Sequence, residues 1–239
     1  MLARRVYLQS VVGTWLVSVG FPVGLAPATE PVIDLAGRWQ VQLESDHVPQ
    51  PMEQPPAANG GSQTVELPGA LRDSGLGKPV GPDTHWIGGV RSVAWDQSRY
   101  APYRRADHFK VPFWLQPERH YVGPAWYSRS VEIPESWRDQ RVILILERPH
   151  WTTRVWIDGH AAGEGDSLAT PHRFELSQWL DPGPHKITIC VDNGLEPIDV
   201  GLNSHSVSDH SQPAWNGMVG RIELRAEPQV AILNVQAYP

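Results

Sequence analysis

The sequence predicts an all-β fold, a sandwich or jelly roll, on three observations. The 21 glycines and 23 prolines of the 239-residue chain are spread as turn punctuation, well above the usual combined share of about 12%. Between them lie short runs of β-branched and aromatic residues, and few windows sustain a helical period. Eleven tryptophans against four phenylalanines add large rings suited to filling the space between two sheets, and most are expected to be packing residues.

The elements follow in chain order. Met1-Leu2-Ala3-Arg4-Arg5 makes a positive start, residues 6–25 are largely apolar, and Ala26-Pro27-Ala28 places small residues where a signal peptidase cuts. Residues 1–28 are therefore expected to be a signal peptide for export to the periplasm or outside the cell. Gln9, Ser10, Thr14, Ser18 and Pro22 interrupt the apolar run, so no stable membrane span is expected. Residues 49–61, rich in Pro, Gly, Gln and Ala, read as a mobile surface excursion. Residues 69–121 form a long loop carrying Trp86, Trp95, Tyr100, Tyr103, Phe109, Phe113 and Trp114, the pattern of an ordered functional insertion.

Strands come next. Residues 125–133 make one, ended by Pro134. Residues 141–147 are apolar at consecutive positions, as in a strand buried on both faces. Residues 154–157 lead into Asp158-Gly159, a strong hairpin signal. Residues 186–192 place Ile187, Ile189 and Val191 on one face, and residues 220–225 alternate in the same way.

Charge and cysteine content exclude several classes. Residues 1–28 hold two arginines and no acid, so the remainder has 18 basic and 26 acidic residues, a net charge of −8 against −6 for the whole chain. A chain of that sign without a basic run repels a phosphate backbone, and no nucleic-acid partner is expected. Cys190 is the sole cysteine, which rules out an internal disulfide and a cysteine-rich zinc site. Its place within Ile187-Thr188-Ile189-Cys190-Val191 predicts a small buried strand residue.

A series of short blocks resembles the N-terminal sugar-binding domain of glycoside hydrolase family 2, the β-galactosidase and β-glucuronidase group. Leu35-Ala36-Gly37-Arg38-Trp39 opens it, followed by Leu67-Pro68-Gly69 and Gly75-Leu76-Gly77. Tyr121-Val122-Gly123-Pro124-Ala125-Trp126-Tyr127 and Val131-Glu132-Ile133-Pro134 form the most recognisable block. Leu146-Glu147, Val155-Trp156-Ile157-Asp158-Gly159, Gly163, residues 171–176, residues 180–183 and Val191-Asp192-Asn193 continue it. Trp215-Asn216-Gly217-Met218-Val219-Gly220, with Ile222 and Leu224, closes it. Order and spacing over roughly 190 residues carry the resemblance.

The resemblance implies a galactose-binding-like jelly roll over residues 29–228. It implies that residues 229–239 begin a linker or the first strand of a following immunoglobulin-like domain. Family enzymes continue into a (β/α)₈ barrel whose two glutamates perform retaining hydrolysis. The chain is accordingly expected to be a fragment, a domain that contacts carbohydrate without a complete catalytic site. Its expected partners are a terminal β-linked sugar and the barrel of the same enzyme. A free-standing carbohydrate-binding module is the alternative. No cofactor is expected.

Two further constellations stand beside this reading. Gly165-Asp166-Ser167-Leu168 matches the nucleophile block of the Gly-Asp-Ser-Leu esterases, but that serine needs a strand-to-helix turn and Pro171 opposes a helix there. Residues 203–212 are the densest polar segment. They read as a partial metal set (His205, Asp209, His210), as loop-satisfying polar groups, or, from the resemblance, as the rim of a sugar pocket. On that last reading Asp209, His210, Trp215 and Asn216 contact the sugar, joined by Trp114 from the insertion, and no catalytic or metal-binding residue is assigned.

Overall fold

The computed structural model describes residues 31–44, 54–56, 61–87, 97–111, 117–194, 207–209, 213–230 and 236. Residues 1–28, Trp114, His205 and His210, together with most of the tail after residue 230, lie outside the described residues.

Thirteen strands are described, all paired antiparallel. They are β1 (Val32–Asp34), β2 (Gly37–Leu43), β3 (Gln63–Leu67), β4 (Gly69–Ala70), β5 (Lys78–Pro79), β6 (Arg119–His120), β7 (Pro124–Ile133), β8 (Arg141–His150), β9 (Thr152–Ile157), β10 (His160–Gly165), β11 (His172–Glu175), β12 (Gly183–Asp192) and β13 (Gly217–Glu227). One sheet runs β1-β13-β8-β11, with β4 added to β13, and the other runs β10-β9-β12-β7-β2-β3. β5 and β6 pair with each other at the two ends of the insertion. Among the described residues no helix is long and apolar enough to cross a membrane.

Alternation builds the core. From the six-stranded sheet, Trp39, Val41, Tyr127, Val155, Ile157, Ile187, Ile189 and Val191 point inward. They meet Val142, Leu144, Leu146, Phe174, Ile222 and Leu224 from the other sheet. Trp39 is buried to its ring nitrogen, which donates to the Leu35 carbonyl at 2.8 Å. Truncating so large a buried ring to alanine costs about 3–5 kcal/mol.

β8 is buried on both faces, as the unbroken apolar run predicts, and the register supplies the reason. Ile143 and Ile145 face away from the core, yet both are buried. Ile143 lies between Glu175 and Arg225, and Ile145 lies between Arg173 and Glu223. The stems of these charged residues cover the isoleucines while their heads pair with charges on the same face. Glu227 accepts from Arg141 and Arg173, and Arg225 donates to Glu223.

The Asp158-Gly159 hairpin forms as expected, with Ile157 opposite His160 and both turn residues at positive φ (50° and 86°). The insertion is ordered where it is described. It folds into short 3₁₀ turns and the β5-β6 pair, and Val111 is buried against Val80, Trp86 and Phe109. Gly165-Asp166-Ser167-Leu168 leaves β10 into an irregular turn with no helix behind it. The Ser167 hydroxyl accepts from the backbone of Ala169 and Thr170, a turn-closing role.

Candidate functional site

The segment entering β13 and the insertion meet at one buried carboxylate. Asp209 is 0% exposed. One oxygen accepts from the backbone of Ile87 at 2.7 Å, the other from Ala214 at 2.6 Å, and His120 Nε2 lies 3.1 and 3.2 Å from the pair. The Asp209 amide returns a bond to the Ile87 carbonyl at 2.7 Å. Three stretches far apart in sequence are thereby tied together, and every oxygen of the carboxylate carries a protein donor. A buried carboxylate needs that saturation, because an unpaired one would cost several kcal/mol. Asp209 thus shapes the site by holding the loop from which Trp215 projects.

Asn216 has a similar role, set deeper in the sandwich. Its oxygen accepts from the Tyr127 hydroxyl at 2.9 Å, and its amide donates to the carbonyls of Val191 and Gly123 at 2.9 and 3.0 Å. Asn193 extends the network, accepting from the Gly123 amide and donating to the Tyr121 carbonyl, each at 2.9 Å. Burial pushes the Tyr127 phenol well above its ordinary range, so it remains a neutral donor. Trp215 differs from Asp209 and Asn216 in being half-buried. Its ring stacks on His150 at 4.6 Å between centroids and 24° between planes, and its carbonyl accepts from His150 Nδ1 at 2.6 Å.

Against this hub lies a cavity of about 370 Å³ between β5, the loop of residues 81–85 and the Tyr121-Val122 segment, with His120 in its wall. Lys78, Asp83, Thr84 and His85 give it donors and acceptors, and the Trp86 ring packs on His120 at 4.7 Å. Concave volume and convergent polar groups suit a hydroxyl-rich ligand. Of the five residues singled out in the sequence, the structure brings Asp209, Trp215 and Asn216 into one short segment. His210 and Trp114 lie outside the described residues. His120 and Asn193 organise the region and were not singled out. His120 is 89 positions from Asp209, and no local pattern links them.

Asp192 lies apart from this cavity. Burial, with Glu44 nearby, raises the Asp192 carboxyl above its usual range, while the Gly194 amide donates to it at 2.8 Å. Among the described residues no cluster of three or more His, Cys, Asp or Glu side chains could hold a metal ion.

Residues 89–224 match the family described as "Glycosyl hydrolases family 2, sugar binding domain". Human β-glucuronidase is 34% identical over 86 residues, which is 33% of this chain and 13% of that protein. The rat β-glucuronidase is 28% identical over 85 residues, with the same shares. Among solved structures, a β-glucuronidase from an uncultured Clostridium superposes over 87% of this chain and 30% of its own, with a TM-score of 0.56 at 16% identity. Bacteroides uniformis β-glucuronidase 2 superposes over 83% and 18%, with a TM-score of 0.53 at 16% identity. The matched region thus spans well under half the length of these relatives.

Proposed function

The chain belongs to the sugar-binding domain family of glycosyl hydrolase family 2, and from that premise we propose that it is the non-catalytic, sugar-facing domain of an exported glycoside hydrolase. In the whole enzyme it braces the catalytic barrel and shapes the pocket for a terminal β-linked sugar. The β-glucuronidase relatives favour a glucuronide among those sugars.

The observation that carries this reading is the division of labour at the entrance to β13. Asp209 and Asn216 are spent on protein donors and acceptors, and Trp215 is left half-buried on a fixed imidazole. A tryptophan held in that way offers a face to the apolar side of a pyranose, while the saturated carboxylate keeps the loop in place. The lack of catalysis is supported by the same commitment of acids to structure. Asp209 is bound by two amides and His120, and Glu223 and Glu227 are paired with arginines. Retaining hydrolysis instead needs two carboxyl groups about 5–5.5 Å apart facing one sugar.

Calorimetric titration with glucuronate, galactose, rhamnose and β-linked disaccharides, with chromogenic β-glycosides assayed on the same preparation, tests the proposal. Saturable binding without turnover, lost in Trp215→Ala, is the expected result. Turnover by the isolated chain would overturn the non-catalytic reading. Binding unchanged in Trp215→Ala would remove that ring from the site.

A further inference from the structure

The outer face of the six-stranded sheet carries an arrangement that the site above does not use. Cross-strand register places Thr64, Gln40, Ser128 and Thr188 in one row, and Trp126 in the next between Gln42 and Cys190. A cleft of about 150 Å³ opens over it, floored by Trp126 and walled on one side by Pro55 and Pro56.

The polar groups here are held in place before any ligand arrives. The Gln40 amide donates to the Thr64 hydroxyl at 3.2 Å, and its oxygen accepts from the Ser62 hydroxyl at 3.2 Å. An amide has two N–H donors and two lone pairs, so Gln40 retains one of each for a ligand. The Trp126 indole is fixed by a 2.7 Å bond to Glu44 and by the Trp156 ring, 5.0 Å away between centroids. Among the described residues, Lys186 is the one charged side chain lining the cleft.

We propose that this cleft is a second carbohydrate site, taking one neutral pyranose unit of an oligosaccharide. A pyranose presents an apolar face of C–H groups and a rim of adjacent hydroxyls. The prolines, with the narrow exposed edge of the otherwise buried Trp126 indole, meet the first, while Gln40, Ser128 and Thr188 meet the second. The volume lies below the roughly 300 Å³ at which drug-sized pockets begin, which suits one ring with its neighbours running out to solvent. Among the described residues no carboxylate lines the cleft to answer a cationic sugar. A single exposed lysine gives a hydrogen-bond donor without the fork that recognises a carboxylate in two places. The site lies on the sheet face, apart from the β13 entrance, and does not depend on the role assigned to Trp215.

Titrating the whole chain with xylohexaose, cellohexaose, galactose and glucuronate, followed by calorimetry and tryptophan emission, decides the matter. Saturable binding of at least one neutral sugar is expected, weakened at least tenfold in Gln40→Ala and abolished in Ser128→Tyr, which fills the cleft. Both positions lie on the outer face, and unchanged far-ultraviolet dichroism and melting temperature establish that the variants fold. Trp215→Ala should leave this binding intact, which separates it from the site at the β13 entrance. No saturable binding by the folded protein, binding of glucuronate alone, or binding that survives both cleft variants would overturn the proposal.

Discussion

Asp209 shows how one side chain sets the shape of a site without touching its ligand. Replacing it with alanine removes the acceptor of two backbone amides and of the buried His120 ring. Each lost partner in such a place costs about 1–3 kcal/mol, so Asp209→Ala should lower unfolding stability by about 3 kcal/mol or more in urea titration. Asp209→Asn keeps the shape but turns one acceptor into a donor facing an amide, and should cost less. His172 gives a residue-scale prediction in pH. Its ring is set between the Thr153 hydroxyl at 2.6 Å and the Ser167 carbonyl at 2.9 Å. Burial lowers its pKa, and the Ser167 carbonyl and Asp166 only partly offset that. The unfolded chain therefore takes up a proton, near an ordinary histidine pKa of about 6.5, that the folded ring resists. The stability tied to neutral His172 is fully present above that pH and is lost as pH falls through the folded value. His172→Gln should flatten the acid limb of the stability profile between pH 7.5 and 5. An equally steep limb in that variant would place the titration elsewhere. His185 has the opposite sign. Burial alone would lower its pKa, but Asp158 and the Asp181 carbonyl reverse that, so its contribution is lost as pH rises through its raised value.

At the scale of elements, the junction of β13 with β4 and β8 sets the tightest condition on sequence. Gly217 pairs with both Ala70 and His150, and its φ is 149°. A Cβ added there would lie 2.3 Å from the Gly69 carbonyl oxygen and 2.9 Å from the Ala70 Cα, both backbone atoms that cannot rotate away. Gly217→Ala combines a strained backbone with overpacking, and should cost about 2–4 kcal/mol, read as a large drop in melting temperature. The same scale shows what the sequence makes legible. The run at residues 141–147 and the Asp158-Gly159 turn are local signals, and β8 and the β9–β10 hairpin follow them closely. The insertion could be read as ordered from its aromatics, but not that its last residues would carry His120 to Asp209. That meeting depends on chain reversal through the β5–β6 pair and leaves no periodic trace. Asn216 is singled out through the closing block of the family resemblance, yet its deep position follows from the carbonyls of Val191 in β12 and of Gly123 just before β7, which need a donor that only the assembled sandwich brings to them.

Across the whole molecule, stability rests on burial between two sheets, since the sole cysteine forms no disulfide. Cys190 lies in β12 between β7 and β9, and its side chain, on the outer face of the six-stranded sheet, is buried under Trp126 of β7 and Trp156 of β9, so its thiol is reached only when that cover opens. Burial pushes the thiol well above its ordinary pKa, with Asp192 and Glu44 adding to the effect, and the thiolate that would react is suppressed as well as hidden. Two independent barriers thus protect one group, and they separate by experiment. A thiol reagent should leave the native protein unlabelled over hours and label it stoichiometrically in guanidinium. At intermediate denaturant the labelling rate should track the global unfolding equilibrium seen by tryptophan emission, because the two covering rings sit on the strands either side of β12 in the middle of the sheet. If labelling instead runs ahead of global unfolding, the Trp126–Trp156 cover opens on its own while the sandwich stays folded. Asp209→Ala distinguishes the cases further. The hub ties the insertion to the entrance of β13 in the opposite sheet, so its loss accelerates Cys190 labelling only if the sandwich unfolds as one body.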